Sequence, residues 1–553
     1  LLTAKSDLGS DQDFEAEEHH QRRFVRALGW LQNEGCRLPR EFEDDCSRLK
    51  KLIENWSDEW VQSAAASNEM RSGSVRTNTD PGIFSHAPIG DIADLALSQD
   101  NRPDFRDFVA HEPFIGLVQA SPHRALAALV HKANIGEYPW ILWEQLYSHW
   151  PEDTPSNQTR FFYAWMRQLP NDILLSMKGN LGDWFRNRFP SLASKDETYA
   201  YAMFDELLGK LLSNGAEATP SAIGEHRLGG VVVKKSRRTI FYAKNGVIGD
   251  AVEGLLRTLG SKRDLNSKRI PSEIGQRILG LLDSPGEGAD HAVCNLCQHI
   301  PWLNSLDPDW TNTNVIPLLS LERNSAEPAW SGLMSEPWPQ ARNCFPRIKD
   351  NYVELPLYME KWGWEEDERG HFNNWLVLAA VDPSVENGLS FDDTREVLRK
   401  LPQSGREKVI HALTRIGAHN DNGWNQFVIP FIRKAWPQEL RYQNEGTTKA
   451  WLDLLDGTET SFPEVFEVVK EFLRPLYSTS FSLFRFHHIA GEKEPLSVKF
   501  PEIVLDMVHR VVADNASRIP YDLSQILVLL EDTKPEIISD RKFYRLRDLE
   551  QGI

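Results

Sequence analysis

The stretch Tyr201-Ala-Met-Phe204-Asp-Glu-Leu207-Leu208-Gly-Lys-Leu211-Leu212-Ser-Asn214-Gly215 decides the fold class. Its apolar positions recur three and four residues apart, the period of one helix face, and Asn-Gly stops it. The same pattern extends in both directions. Upstream, Leu49, Leu52, Ile53, Trp56 and Trp60 share a face, as do Phe161, Phe162, Trp165, Met166 and Leu169 ahead of Pro170. Phe24, Leu28 and Leu31, with Trp30, follow an acidic helix start at Asp13-Phe14-Glu15. Downstream come Val252, Leu255, Leu256 and Leu259, then Ile274, Ile278, Leu281 and Leu282, closed by Asp283-Ser284-Pro285-Gly286. Further helical runs are read at 397–401, 409–416, 427–436, 465–473, 503–512 and 523–530. This predicts about two dozen helices joined by connections of about 2–8 residues, the range for antiparallel neighbours.

Strand signals are scarce. Val231-Val232-Val233 is β-branched and Arg238 to Tyr242 is β-prone, so a short hairpin around Lys234-Lys235-Ser236-Arg237 and a helix lead-in are both open. Trp and Pro punctuate the chain together. Trp150-Pro151, Trp338-Pro339 and Trp436-Pro437 read as helix ends, and Pro139-Trp140 and Pro301-Trp302 as helix starts or bends. With 18 Trp, about twice average usage, flat side chains are available to pack across such junctions.

No strict repeat holds, but a degenerate helix–turn–helix unit of about 40 residues recurs. The expected fold is therefore all-α, an α-solenoid of HEAT-like helical hairpins in two or three lobes, with separate helical bundles as the alternative. The expected division is a helical connector over 1–68, a first helical-repeat lobe over 69–215, a second over 216–325 with an irregular or hairpin insert near 231–242, and a C-terminal lobe over 326–553. The boundaries rest on the Gly-, Ala-, Thr- and Pro-rich stretch 213–230 and on 323–329; Gly363 to Gly370, with an acidic turn at Glu365 to Glu368, is a third candidate.

The composition is that of a globular protein: 553 residues, 41% hydrophobic and 26% charged. No apolar run approaches the roughly 18 residues that cross a bilayer. Five Cys argue against a disulfide framework and for a reducing, cytoplasmic setting. A formal net charge of −18 disfavours nucleic acid as a partner. The start, Leu1-Leu2-Thr3-Ala4, lacks an initiator Met, and the acidic stretch after it is no signal peptide, so the chain reads as a segment of a longer polypeptide.

Motifs that carry chemistry are few. There is no GxxxxGK[ST], GxGxxG or GxSxG, and Gly246, Gly249 and Gly254 lack the spacing of a phosphate loop. His291, Cys294, Cys297 and His299 resemble a metal set, but they lie on about two turns of one helix with no second arm, so buried packing is the better reading. The adjacent pairs His19-His20 and His487-His488 point about 100° apart on a helix and make poor joint ligands. No catalytic or metal residue is assigned. The feature that stands out is the basic run Lys234, Lys235, Arg237 and Arg238, followed by Asn245 ahead of a helix. These five are the candidate partner- or anion-binding residues; the competing reading is a loop neutralised by neighbouring acidic helices.

Several stretches together carry a resemblance. They are Arg237-Arg-Thr-Ile-Phe-Tyr-Ala-Lys-Asn-Gly246 with Gly249-Asp-Ala-Val-Glu-Gly-Leu-Leu256, Trp302-Leu-Asn-Ser-Leu-Asp-Pro-Asp-Trp310, Ala329-Trp-Ser-Gly-Leu333, Asn425-Gln-Phe-Val-Ile-Pro-Phe431 with Lys434-Ala-Trp-Pro437, and Ser461-Phe-Pro-Glu464. From about residue 70 onward this series resembles the C-terminal helical-repeat region of bacterial antiphage defence-associated sirtuin proteins. The resemblance implies a non-catalytic sensor, regulatory and assembly region. It would restrain a fused or associated sirtuin-type domain that depletes NAD, and respond to a phage protein trigger. It also implies a homo-oligomer in the bacterial cytoplasm, with no membrane contact and no cofactor in this chain, NAD belonging to the other domain. The alternatives from the residues alone are a helical enzyme with an unrecognised site between helices, and a general protein-binding solenoid scaffold.

Overall fold

The computed structural model describes residues 24–25, 27–29, 31–32, 35–52, 76–98, 109–151, 154, 156–224, 227–228, 231–232, 235–261, 269–364, 366–382, 384, 388–420, 422–477, 483–487, 494–514 and 519–552. Within them the chain is predominantly helical, as the periodicity requires. No helix among the described residues is long and apolar enough to cross a membrane. The chain divides into two compact units, 1–125 and 126–553.

In the first unit, Val25 and Leu28 pack on Cys46 of α1 (Arg40–Leu52), with Phe24, Leu31, Phe42 and Leu49 around them. Gly35, at φ +80°, turns the chain between the two helical segments, a conformation that suits glycine. Two strands that periodicity could not reveal, β1 (Arg76–Asn78) and β2 (Val109–His111), pair in parallel. α2 (Pro113–Ala120) then seats Gly116 so close to the Thr79 carbonyl that a Cβ would lie 1.6 Å from its oxygen.

The second unit carries α3 (Glu197–Leu212), the helix of the opening stretch, whose Tyr201, Phe204, Leu207 and Leu211 are buried as expected. Its central helices are, in chain order, α4 (Val247–Ser261), α5 (Gly288–Gln298), α6 (Ala326–Met334), α7 (Phe345–Glu354), α8 (Glu366–Val381), α9 (Phe391–Lys400), α10 (Gln403–His419), α11 (Ile429–Ala435), α12 (Glu445–Asp456) and α13 (Phe462–Val469). One series packs each on the next: α4 on α5, α5 on α6, α6 on α8, α8 on α10 and α10 on α12. A second does the same: α7 on α9, α9 on α11, α11 on α13. The helices α14 (Pro501–Val511), α15 (Leu523–Thr533) and α16 (Arg541–Gln551) pack on one another. Asp506 of α14 is held there by Lys542 at 2.6 Å and Arg510 at 3.0 Å.

The boundaries expected at 215/216 and 325/326 both fall inside this unit, and packing crosses each. The stretch expected as a boundary at 323–329 opens α6, all 9 of whose residues are buried. Ala326, Ala329, Ser331 and Gly332 of α6 are small, and their smallness is what lets neighbours close in on every side. Residues 213–224 likewise adhere to the helices: Thr219 Oγ1 donates to the Pro285 carbonyl at 2.8 Å and Ser221 Oγ to that of Tyr242 at 2.9 Å. The acidic stretch at 365–368 runs into the start of α8, with Glu365 itself outside the described residues.

The Trp–Pro junctions behave mostly as read. Trp150 and Trp436 follow the last residues of their helices, and their rings stack on Phe162 at 4.3 Å and meet Trp451 edge-on at 4.7 Å. Trp338-Pro339 instead begins a helical turn, Trp338–Ala341, because Pro is tolerated where a helix has no donor to lose. Two further prolines, Pro190 and Pro430, are absorbed differently. Each follows a π-turn, Trp184–Arg188 and Trp424–Val428, closed by a bond from the Phe189 or Ile429 N–H back to the Trp carbonyl. The wider turn relieves the clash a proline ring makes with the carbonyl four residues back. Each π-turn seats on a helical glycine: Phe185 O on Gly254 of α4, and the Trp424 ring on Gly417 of α10.

Beside the first π-turn, Asp250 is raised to about 6 by burial, with Asp183 and Glu253 adding to the rise and Arg186, 3.1 Å away, opposing it. A raised folded-state pKa gives stability that is complete at low pH and lost as pH climbs through about 6. Asp250→Asn is therefore expected to leave the melting temperature unchanged at pH 4 and to raise stability at pH 7.5 by about 2 kcal/mol. Paired melts at the two pH values check this.

Candidate functional site

The basic run lies against α5 and α6, and its two arginines are engaged within the chain. The Arg237 guanidinium forks onto Glu287, Nε to Oε1 at 2.5 Å and Nη2 to Oε2 at 3.0 Å, and lies over the Tyr242 ring at 4.5 Å. Arg238 forks onto Asp290 with two bonds of 2.8 Å, reaches Glu327 at 3.5 Å, and donates to the Asn324 carbonyl. Glu327 is 5% exposed and also accepts from Ser236. Bonding to Asp290 raises the Arg238 pKa against the opposing effect of burial. Burial pushes Glu287 up, yet Arg237 and the Ser221 N–H outweigh it and leave its carboxyl below the ordinary range.

Arg237 and Arg238, expected as partner- or anion-binding residues, are thus neutralised within the chain by acidic helices and clasp the 221–246 segment to α5 and α6. Asn245 turns its amide onto the Phe241 carbonyl at 2.9 Å, a local turn contact. Lys235 is half-buried and also has a partner within the chain. Lys234 lies outside the described residues. Both readings left open for the insert near 231–242, a hairpin and a helix lead-in, have a counterpart. β3 (Arg227–Leu228) pairs antiparallel with β4 (Val231–Val232), upstream of the basic run, and Ile240–Ala243 is a helical turn.

Cys294 and Cys297 are fully buried on α5, and burial pushes both thiols up. His291 is buried with neither ring nitrogen hydrogen-bonded, its Nε2 standing 3.6 Å from Glu287 of the preceding turn, and burial lowers its pKa. Among the described residues no three His, Cys, Asp or Glu side chains converge on a point that could hold a metal. The glycines without phosphate-loop spacing serve packing: a Cβ on Gly246 would meet the His291 ring at 2.2 Å, and one on Gly249 the Ala243 carbonyl at 2.2 Å. His487 lies edge-on to Phe484 with centroids 5.4 Å apart; His19, His20 and His488 are outside the described residues.

A cleft of about 520 Å³ opens elsewhere, between α8 and α10. α8 contributes His371, Asn374, Trp375 and Leu378, and α10 contributes Ala412, Arg415, Ile416 and His419. Both sets fall at i, i+3, i+4 and i+7, one face of each helix. The turn after α6 closes one end with Trp338, whose ring meets Trp375 edge-on at 5.5 Å. Trp338 is anchored by Asp382, which accepts its indole N–H at 2.9 Å, and Trp375 by the Glu336 carbonyl at 3.1 Å. Arg415 spans the two helices through the Asn374 side-chain oxygen at 2.5 Å. Among the described residues no carboxylate pairs with Arg415. The sequence reading missed this site. The signal available to it was two matched helical stripes, each carrying a histidine at one end.

No protein-family model matches the chain. No curated protein matches it. No solved structure matches it either.

Proposed function

We propose that the chain is a non-catalytic interaction and regulatory region built as a HEAT-like solenoid. The observation that carries this reading is the chain-order packing of α4, α5, α6, α8, α10 and α12, accompanied by α7, α9, α11 and α13. Stacking in which each helix buries its face on its sequence neighbours is how solenoids build long binding surfaces. The resemblance to defence-associated sirtuins supplies the biological role. The region senses a phage protein and restrains a sirtuin-type NAD-depleting domain in the bacterial cytoplasm, and it assembles with further copies of itself. Trigger binding favours one helix packing over another, and the affinity difference sets how far the equilibrium moves.

Cellular NAD followed during phage infection tests this. Bacteria carrying the intact gene that encodes this chain are expected to lose NAD on infection and not before. Bacteria carrying a copy without codons 126–553 are expected to lose that dependence on infection. Unchanged NAD throughout would sink the sirtuin role. The cleft between α8 and α10 favours a second reading, an enzyme with its site between helices. That reading requires the purified chain alone to turn over a substrate, whereas the first requires it to bind and not to react.

A further inference from the structure

We propose that the groove between α8 and α10 binds a segment of a partner protein in which an acidic side chain stands beside a large apolar one. The inference deepens the interaction reading above and rests on it only in taking the ligand to be a stretch of protein. Charge is the first argument. The chain holds 80 acidic and 62 basic residues, so an arginine finds a carboxylate with ease. Arg237 and Arg238 have theirs at 2.5 and 2.8 Å. Arg415, exposed at the lip of the groove, has only the neutral Asn374. A planar guanidinium held by one neutral acceptor keeps donors free for a bidentate carboxylate.

Shape is the second argument. Leu378, Ala412 and Ile416 with the Trp375 ring make an apolar floor beneath that cation, so charge and apolar body are read side by side. The volume of about 520 Å³ accommodates a few side chains. The groove is also open: Pro337, Pro339, His371, His419 and Asn420 are exposed, so a bound chain can leave it at either end. A small molecule would be better served by closed walls. Glu336, the carboxylate among the described lining residues, already accepts from Gln298 at 3.2 Å and turns a second acid away from its end. That fixes the ligand's acid near Arg415.

The test selects a random short-peptide library on the immobilised full chain, with N-acetylphenylalanine as the small-carboxylate arm. Selected peptides are expected to carry Asp or Glu next to an aromatic or long aliphatic residue, and to bind Arg415→Gln about tenfold more weakly. Arg415 is exposed, so this variant folds; Leu378→Asp, which spoils the floor, is expected to lose the same peptides. Absence of enrichment, enrichment of basic peptides, or equal binding to Arg415→Gln would overturn the proposal. N-acetylphenylalanine binding as tightly as the peptides would overturn the choice of a protein segment. None of these outcomes depends on NAD, so the groove and the sirtuin role fail separately.

Discussion

Gly332→Ala is expected to destabilise the second unit by about 2–3 kcal/mol, although alanine is the better helix former by about 1 kcal/mol. A Cβ at Gly332 would stand 2.1 Å from the Cys294 carbonyl oxygen, 2.9 Å from its carbon and 3.1 Å from its Cα. These are backbone atoms of α5 and cannot rotate aside. Relief requires α5 and α6 to separate, which strips contacts from Cys294, Cys297, Trp330 and Leu333, all buried without exposure. Gly280→Ala is the control. It lies in the helix Ser272–Leu281 with nothing within 4 Å of its added Cβ. There the intrinsic preference acts alone and stability rises by about 0.5–1 kcal/mol. Urea unfolding of the two variants gives opposite signs if helix crossing at Gly332 is as close as described; equal signs would refute it.

Arg238→Leu is expected to cost about 2 kcal/mol. The loss leaves Asp290 without its forked partner and takes a cation from beside Glu327, whose side chain is 6% exposed. Removing one member of a part-buried charge network costs more than the pair contributes, because the remaining charge stays out of water. Arg238→Lys should recover part of this, since an ammonium restores the charge and not the fork. Thermal melts across the three proteins check the order wild type, Lys, Leu. A melt unchanged in Arg238→Leu would show the clasp to be incidental. The same argument bears on binding experiments: charge reversal at Arg238 strikes the fold first, so any loss of partner binding must be corrected for it.

What the sequence disclosed was local. The period of Tyr201 to Leu212 and the helix ends at Trp150-Pro151 and Trp436-Pro437 are written in residues a few positions apart, and the structure follows them. What it hid was distant or ambiguous. Strands of three residues, such as Arg76–Asn78, are too short for a period to register. The partners of Arg237 and Arg238 lie about 50 to 90 residues downstream, so an internally neutralised run looked like a free one. The stretch 323–329 signalled a boundary, while the packing meaning of its small residues depended on what closed in around them. The groove is drawn from 335–339, 371–378 and 412–420, and no one of these stretches is unusual alone.

The glycine seats also set the mechanics. At Gly254 and Gly332 a backbone carbonyl of the neighbouring element occupies the place a side chain would take, and at Gly417 an indole ring does. Such keyed crossings cannot slide by a residue without lifting apart, so shear between α5 and α6, or between α4 and the first π-turn, is blocked. A response passed along this region would then have to travel as rotation of keyed helix groups about the connections between them.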